Sequence, residues 1–237
     1  MSALGERVAA VGGEALAAGL DRDGFALIPS LLDEAECGAV AGLYEGNPAQ
    51  FRSTVVMGRH AFGRGEYKYF ARPLPALVQT LREGLYPVLA GIAATWEARL
   101  GGARTWPATH ADLAAACAAA GQTRPTPLLL RYGPGDYNRL HQDLYGELFF
   151  PLQVIVLLDA PGRDFEGGEL VLVEGRARMQ SRPVVVPLGP GDAVVIPVRE
   201  RPVMSARGWS RATMRHGVSE IRSGARRTLG VIFHDAV

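Results

Sequence analysis

The chain has 237 residues, 48% of them hydrophobic and 21% charged, which is ordinary for a globular protein and enough to bury a full core. Its net charge of +1 favours no class of partner, and two cysteines, Cys37 and Cys117, suggest no disulfide framework. No apolar run approaches a membrane span, and Glu6, Arg7 and Glu14 do not fit a signal peptide, so a cytoplasmic protein without a membrane partner is expected.

Residues 4–20 read as one amphipathic helix with Val8, Val11, Leu16 and Leu20 on one side. A turn at Asp21–Gly24 leads into a short strand, Phe25–Pro29. Asp33 caps a second helix running to about Tyr44, with Cys37 as a small hydrophobe on it. Residues 46–66, rich in Gly and Arg, read as a long loop or hairpin, and such loops are often functional. Glu66–Phe70 is a plausible strand. Residues 76–100 carry Leu77, Leu81, Leu85, Leu89, Ile92 and Trp96 at helical spacing, and Gly101-Gly102 ends that helix. An Ala-rich helix follows over about 108–120, with Cys117 on it.

From Pro127 the character changes. Strand-like runs appear at 127–132, 152–158, 169–173, 183–187, 192–197, 212–218 and 227–234, separated by Gly/Pro turns. A mostly helical part (1–124) therefore packs against a β part (125–237), and the two are read as a single domain, since the helices have nothing else to cover.

The chemistry centres on Leu140-His141-Gln142-Asp143, which follows the turn Gly133-Pro134-Gly135. On extended backbone, residues i and i+2 face the same side, so His141 and Asp143 converge. His216 supplies a third metal-capable group from a strand-like segment. Two histidines and one carboxylate form a facial triad that leaves one face of an Fe(II) ion open. Ten residues after His216 comes Arg226. Arg226 and Thr228 share one face of the last strand and suit a distal carboxylate, through a bidentate fork and one further donor. Arg227 alternates with Leu229, Val231 and Phe233, the apolar set, so Arg226 is preferred over Arg227 for the cavity.

This pattern resembles the Fe(II)/2-oxoglutarate-dependent dioxygenases. His216-x-Val218 followed by Gly224-x-Arg226 is similar to that superfamily's closing motif. Gly167-Gly168-Glu169-Leu170 looks like the corresponding strand of the prolyl-hydroxylase branch. Arg131-Tyr132-Gly133-Pro134-Gly135 before His141-Gln142-Asp143 resembles both that branch and the AlkB-type nucleic-acid demethylases; Ile232 stands where the AlkB ending carries a second carboxylate-binding arginine. The resemblance covers roughly residues 125–237. It implies an α+β protein: a double-stranded β-helix (jelly roll, cupin-like) with the N-terminal helices against one sheet. It further implies Fe(II) on His141, Asp143 and His216, and 2-oxoglutarate on Arg226, Thr228 and Tyr132. O2 is then consumed as 2-oxoglutarate is decarboxylated to succinate and a substrate C–H is hydroxylated.

For the substrate, Tyr137, Asn138, Arg139, Tyr67 and Tyr69 are candidates, with Trp209 as a further stacking aromatic. His60, His110 and His234 are expected at the surface, and Gly167, Gly168 and Glu169 are read as structural. Lys68 is the only lysine, so basic charge is almost all arginine. Between residues 199 and 227, eight arginines face two glutamates, Glu200 and Glu220. That segment reads either as a solvated loop or as a phosphate-tracking patch, since arginine forks match phosphate oxygens. The expected activity is oxidative dealkylation of a damaged nucleobase, with nucleic acid as the partner and no obligate protein partner. The alternatives are hydroxylation of a protein side chain or metabolite, and a non-catalytic cupin-like binding module.

Overall fold

The structure is a computed structural model that describes residues 2–237. The expected first helix is two: α1 (Ala3–Ala9) and α2 (Gly13–Asp23). The break falls at Gly12-Gly13, where a Cβ on Gly13 would lie 2.7 Å from Val88 of a later helix, so close helix packing selects glycine there. α3 (Glu34–Gly42) starts with a reciprocal capping box between Asp33 and Glu36, which satisfies two backbone donors at once. α4 (Ala76–Arg99) and α5 (His110–Ala119) match their expected spans within a few residues.

Fifteen strands follow the chain: β1 (Ala26–Ile28), β2 (Phe51–Val56), β3 (Gly63–Arg64), β4 (Glu66–Phe70), β5 (Leu128–Tyr132), β6 (Tyr137–His141), β7 (Leu152–Leu157), β8 (Phe165–Gly167), β9 (Leu170–Gly175), β10 (Arg182–Val186), β11 (Ala193–Pro197), β12 (Glu200–Ser205), β13 (Gly208–Val218), β14 (Ile221–Gly224) and β15 (Arg226–Ile232). Seven make one sheet in the order β1-β11-β7-β15-β5-β4-β2, and a facing sheet runs β10-β9-β13-β6-β3, with β12 on β13. This is the expected jelly roll. The 46–66 stretch holds β2, which forms a hairpin with β4 just beyond it, and β3, which pairs with β6, and the Arg-rich 199–211 stretch falls in the antiparallel arm of β12 and β13.

Period-two alternation assigns the faces of the larger sheet. Leu152, Val154, Val156, Leu229, Val231 and Phe233 pack with Leu81, Leu85 and Leu89 of α4 in the main core. The alternate residues Gln153, Ile155, Arg226, Thr228, Gly230 and Ile232 line a cavity between the sheets. The helices thus cover one face of one sheet, as expected.

Arg82 of α4 is fully buried and clamps the end of β15. It donates to the carbonyls of Ile232 and Phe233, both at 2.9 Å, and to Asp235 Oδ1 at 2.6 Å. His110 and His234, expected at the surface, are instead buried in this region. His110 Nε2 meets the Phe233 carbonyl at 3.0 Å, and His234 Nδ1 accepts from the Phe150 amide at 3.2 Å. His60 is exposed.

Burial lowers the His110 and His234 imidazoles to about 4. In the unfolded chain both protonate near 6.5. Between those values the unfolded state binds more protons, so stability is complete above about pH 6.5 and is lost as pH falls toward 4. Urea melts across that window are expected to show a decline on the order of 3 kcal/mol per histidine, reduced in His110→Gln. Arg82→Ala is expected to cost about 1–3 kcal/mol in the same assay, because the Ile232 and Phe233 carbonyls lose their buried donor, while Asp235 keeps its second partner, Arg72.

Candidate metal centre

Cross-strand pairing assembles the site. His216 on β13 lies directly opposite His141 on β6, with ring centroids 4.2 Å apart. One step further on, the register shifts between His216 and Val218. At that irregularity a Cβ on Gly217 would lie 2.7 Å from the Asn138 carbonyl, so the close approach requires glycine. His141 is the last residue of β6, and Asp143 lies just beyond the strand rather than on it. Its carboxylate still reaches both rings: Oδ2 is 3.3 Å from His216 Nε2 and Oδ1 is 3.6 Å from His141 Nε2. One ligand-capable atom from each residue falls within 4.8 Å of the others.

The electrostatics suit a cation. Burial alone would raise the Asp143 carboxyl, but the His216 hydrogen bond, both imidazoles and Gln153 outweigh it and hold it well below the usual carboxylate range. Burial and the neighbouring His216 lower His141, which favours its neutral form. His141 Nδ1 is 2.7 Å from the Arg139 carbonyl. A carbonyl only accepts, so Nδ1 carries the proton and Nε2 keeps its lone pair, the tautomer a metal requires. Tyr145 donates its hydroxyl to Asp143 Oδ1 at 2.9 Å.

Arg226 sits deeper in the same cavity, opposite Tyr132 across β15 and β5. It is 2% exposed, and its Nε and Nη1 have no hydrogen-bond partner; nor does the buried Tyr132 hydroxyl. Burial lowers the guanidinium's pKa. Thr228 is buried on the same face of β15. Arg227 points the other way, to Asp159 at 3.0 Å through Nε, as the alternation predicted. Gly168, in left-handed conformation at φ 64°, makes room for Arg226: a Cβ there would lie 2.8 Å from its Cδ. Buried donors without acceptors, facing a cavity, fit a carboxylate.

A family model described as "Oxygenase-NA: Oxygenase, catalysing oxidative methylation of damaged DNA" matches residues 65–236. The chain belongs to this family. An uncharacterized protein of Mycobacterium tuberculosis is 50% identical over 179 residues, 76% of this chain and 77% of that protein. Two solved structures share the fold: a Pseudomonas putida prolyl-4-hydroxylase (13% identical, TM-score 0.53, 92% of this chain and 96% of the other) and a 2OG-Fe(II) oxygenase family oxidoreductase of Burkholderia pseudomallei (17%, 0.53, 96% and 94%). Family, fold and the His-Asp-His cluster bear out the expected superfamily, the Fe(II)/2-oxoglutarate oxygenases. These oxidoreductases take Fe(II), 2-oxoglutarate and O2. Among the described residues, no helix is long and apolar enough to cross a membrane.

In this Oxygenase-NA chain the cavity measures about 410 Å³. Of the substrate candidates, Tyr67, Tyr69, Asn138 and Arg139 line it, whereas Tyr137 does not; the Tyr137 backbone pairs with Arg64 of β3 instead. Trp209 is also elsewhere, under the Arg99 guanidinium at 4.4 Å on the β12–β13 arm. Two residues that touch the cluster were not foreseen, Tyr145 and Gln153. Gln153 Nε2 is 3.4 Å from His216 Nε2. Each left a trace in the sequence. Tyr145 continues the i, i+2 series from His141 and Asp143, and Gln153 is the one polar residue in Leu152–Leu157. Tyr145 stacks edge-on against Tyr69, with centroids 6.1 Å apart, and Tyr69 against Tyr67 at 5.3 Å.

An unpaired buried guanidinium is destabilising unless something accepts its hydrogen bonds. Arg226→Met is therefore expected to stabilise the ligand-free protein by about 1–4 kcal/mol, read by urea unfolding, while abolishing binding of 2-oxoglutarate.

Proposed function

We propose that this chain is an Fe(II)- and 2-oxoglutarate-dependent oxygenase that removes an alkyl group from a damaged nucleobase by oxidising its C–H. One observation carries the site assignment: a His-Asp-His cluster and unpartnered Arg226 and Tyr132 donors share one buried cavity. His141, Asp143 and His216 would hold the metal. Arg226 would hold the distal carboxylate of 2-oxoglutarate, with the Tyr132 and Thr228 hydroxyls beside it. When bound, iron, 2-oxoglutarate and O2 together supply oxidation of a C–H coupled to decarboxylation.

The chain's own residues position and exclude. Tyr145 and the Arg139 carbonyl orient Asp143 and His141, as groups behind metal ligands do. Ile155, Leu170 and Val218 give the cavity apolar walls that keep water from the reacting carbon. The nucleobase reading is supported by the family description and by the aromatic wall of Tyr67, Tyr69 and Tyr145, since an enzyme that acts on a base must take it out of the stack into a pocket.

Anaerobic addition of Fe(II) and then 2-oxoglutarate is expected to produce a weak visible absorption band that needs both. The band is lost in His216→Ala and Arg226→Ala; a folded wild-type protein without it would overturn the assignment. Gly168→Ala is expected to weaken 2-oxoglutarate at least tenfold with Fe(II) affinity retained, because the new methyl, on a left-handed residue, presses on both Ile221 and the Arg226 stem. Single-stranded DNA with an N-methylated base should release formaldehyde in step with succinate. Succinate formed only with a peptide or metabolite would move the substrate to the alternative class.

A further inference from the structure

The Arg-rich segment does not act as one patch. Arg201 is buried and donates to Glu174 Oε2 from Nε and Nη2, at 2.9 and 2.6 Å. Arg211 pairs with Glu200 at 2.8 Å, Arg227 with Asp159, and Arg226 lies in the cavity. Arg199, Arg207, Arg215 and Arg222 are left exposed, and Arg199 shares a groove with a partner from outside the segment: Arg104, in the loop between α4 and α5. The guanidinium carbons of Arg104 and Arg199 each lie 5.9 Å from the ring of Phe149. Arg104 is also 5.4 Å from the Trp106 ring. These residues line one groove of about 280 Å³.

A hydrogen bond links the groove to the cavity wall. Gln142, which follows His141 and lines the cavity, donates to the carbonyls of Arg199 at 2.9 Å and Met214 at 2.8 Å. The mouth carries exposed apolar side chains, with Phe62 49%, Leu140 46% and Leu144 41% exposed, and one exposed cation, Arg139. Such a rim suits bases and at most one phosphate, so a strand needs further charge neutralised beyond it. The salt bridges near the groove join Arg211 to Glu200 and Arg99 to Asp21 and use neither Arg104 nor Arg199; Glu97 also lines the groove.

We propose that the Arg104–Phe149–Arg199 groove carries the flanking stretch of a single-stranded nucleic acid whose target base enters the metal cavity. The inference rests on the nucleobase reading above. The two guanidiniums contact successive phosphates, as planar forks that match phosphate oxygens, and Phe149 offers a flat ring to a neighbouring base. Such stacking is tolerant of sequence, because every base has a π-face.

The test is fluorescence anisotropy of a labelled single-stranded oligodeoxynucleotide with one N-methylated base, titrated with protein at several salt concentrations. Arg104→Glu/Arg199→Glu is expected to weaken binding at least tenfold. Arg104→Ala/Arg199→Ala should make the dependence of log affinity on log salt shallower by about 1.4, for two lost single-strand phosphate contacts. Arg207→Glu, at the tip of the β12–β13 arm, is the charge-matched control for Arg199→Glu alone and should bind like wild type. Melting temperatures report whether each variant folds. Wild-type binding that survives the double reversal overturns the groove, and so does an equal loss in Arg207→Glu, which would mean diffuse attraction. A wild-type protein that ignores the oligonucleotide at low salt overturns the nucleobase reading itself.

Discussion

A positive charge buried without a counter-ion is the constraint around which this jelly roll is arranged. Arg226 can occupy the roll only because its surroundings are built to admit it. Gly168 clears space beside its stem, Tyr132 stands across the strand pair, and Phe165 lies 5.8 Å from its guanidinium carbon. Removing such a charge from water is costly, and a fold selected for stability alone would not keep it. Its retention fits a cavity that would receive an anion, and Arg226 lines the same void as the His-Asp-His cluster.

The rest of the fold holds that arrangement rigid. Strand β15 carries the arginine on one face and Leu229 and Val231 on the other, so the helical layer that buries the apolar face also fixes the polar one. Arg82 adds a directional lock at the end of the strand. The metal cluster depends on a different device, a cross-strand histidine pair next to a local irregularity at Gly217. A regular ladder repeats every two residues. The shift places one extra residue of β6 between Asn138 and His141, and Asp143 reaches both rings from just beyond the other end of the pair.

Charge is handled in the same local way. A segment that sums to a strong positive excess in the sequence is divided between buried pairs, the cavity and the surface. What remains free at the groove is two arginines around one aromatic ring. Association with a polyanion would then depend on where the unpaired guanidiniums stand, since paired ones have spent their hydrogen-bond donors.

The sequence by itself singled out the candidate site residues and, through a family resemblance, the fold class. Arg226-x-Thr228 was legible because strand alternation has a period of two, so a polar pair at i, i+2 within an apolar strand announces a shared face; His141-x-Asp143 and His216 stood out as metal-capable side chains at a family's spacing, and Asp143 meets His141 from beyond the strand end. The same rule separated Arg226 from Arg227. Local signals also placed the Asp33 cap and the long helix 76–100. Only the tertiary structure decided the burial of His110 and His234, the split of the first helix at Gly12-Gly13, and the dispersal of the arginines. Each of these depends on partners far away in the chain: Phe233 for His110, Phe150 for His234, Val88 for Gly13, Glu174 for Arg201. Such contacts leave no periodic trace, because they arise from the packing of whole layers and not from the geometry of one strand or helix.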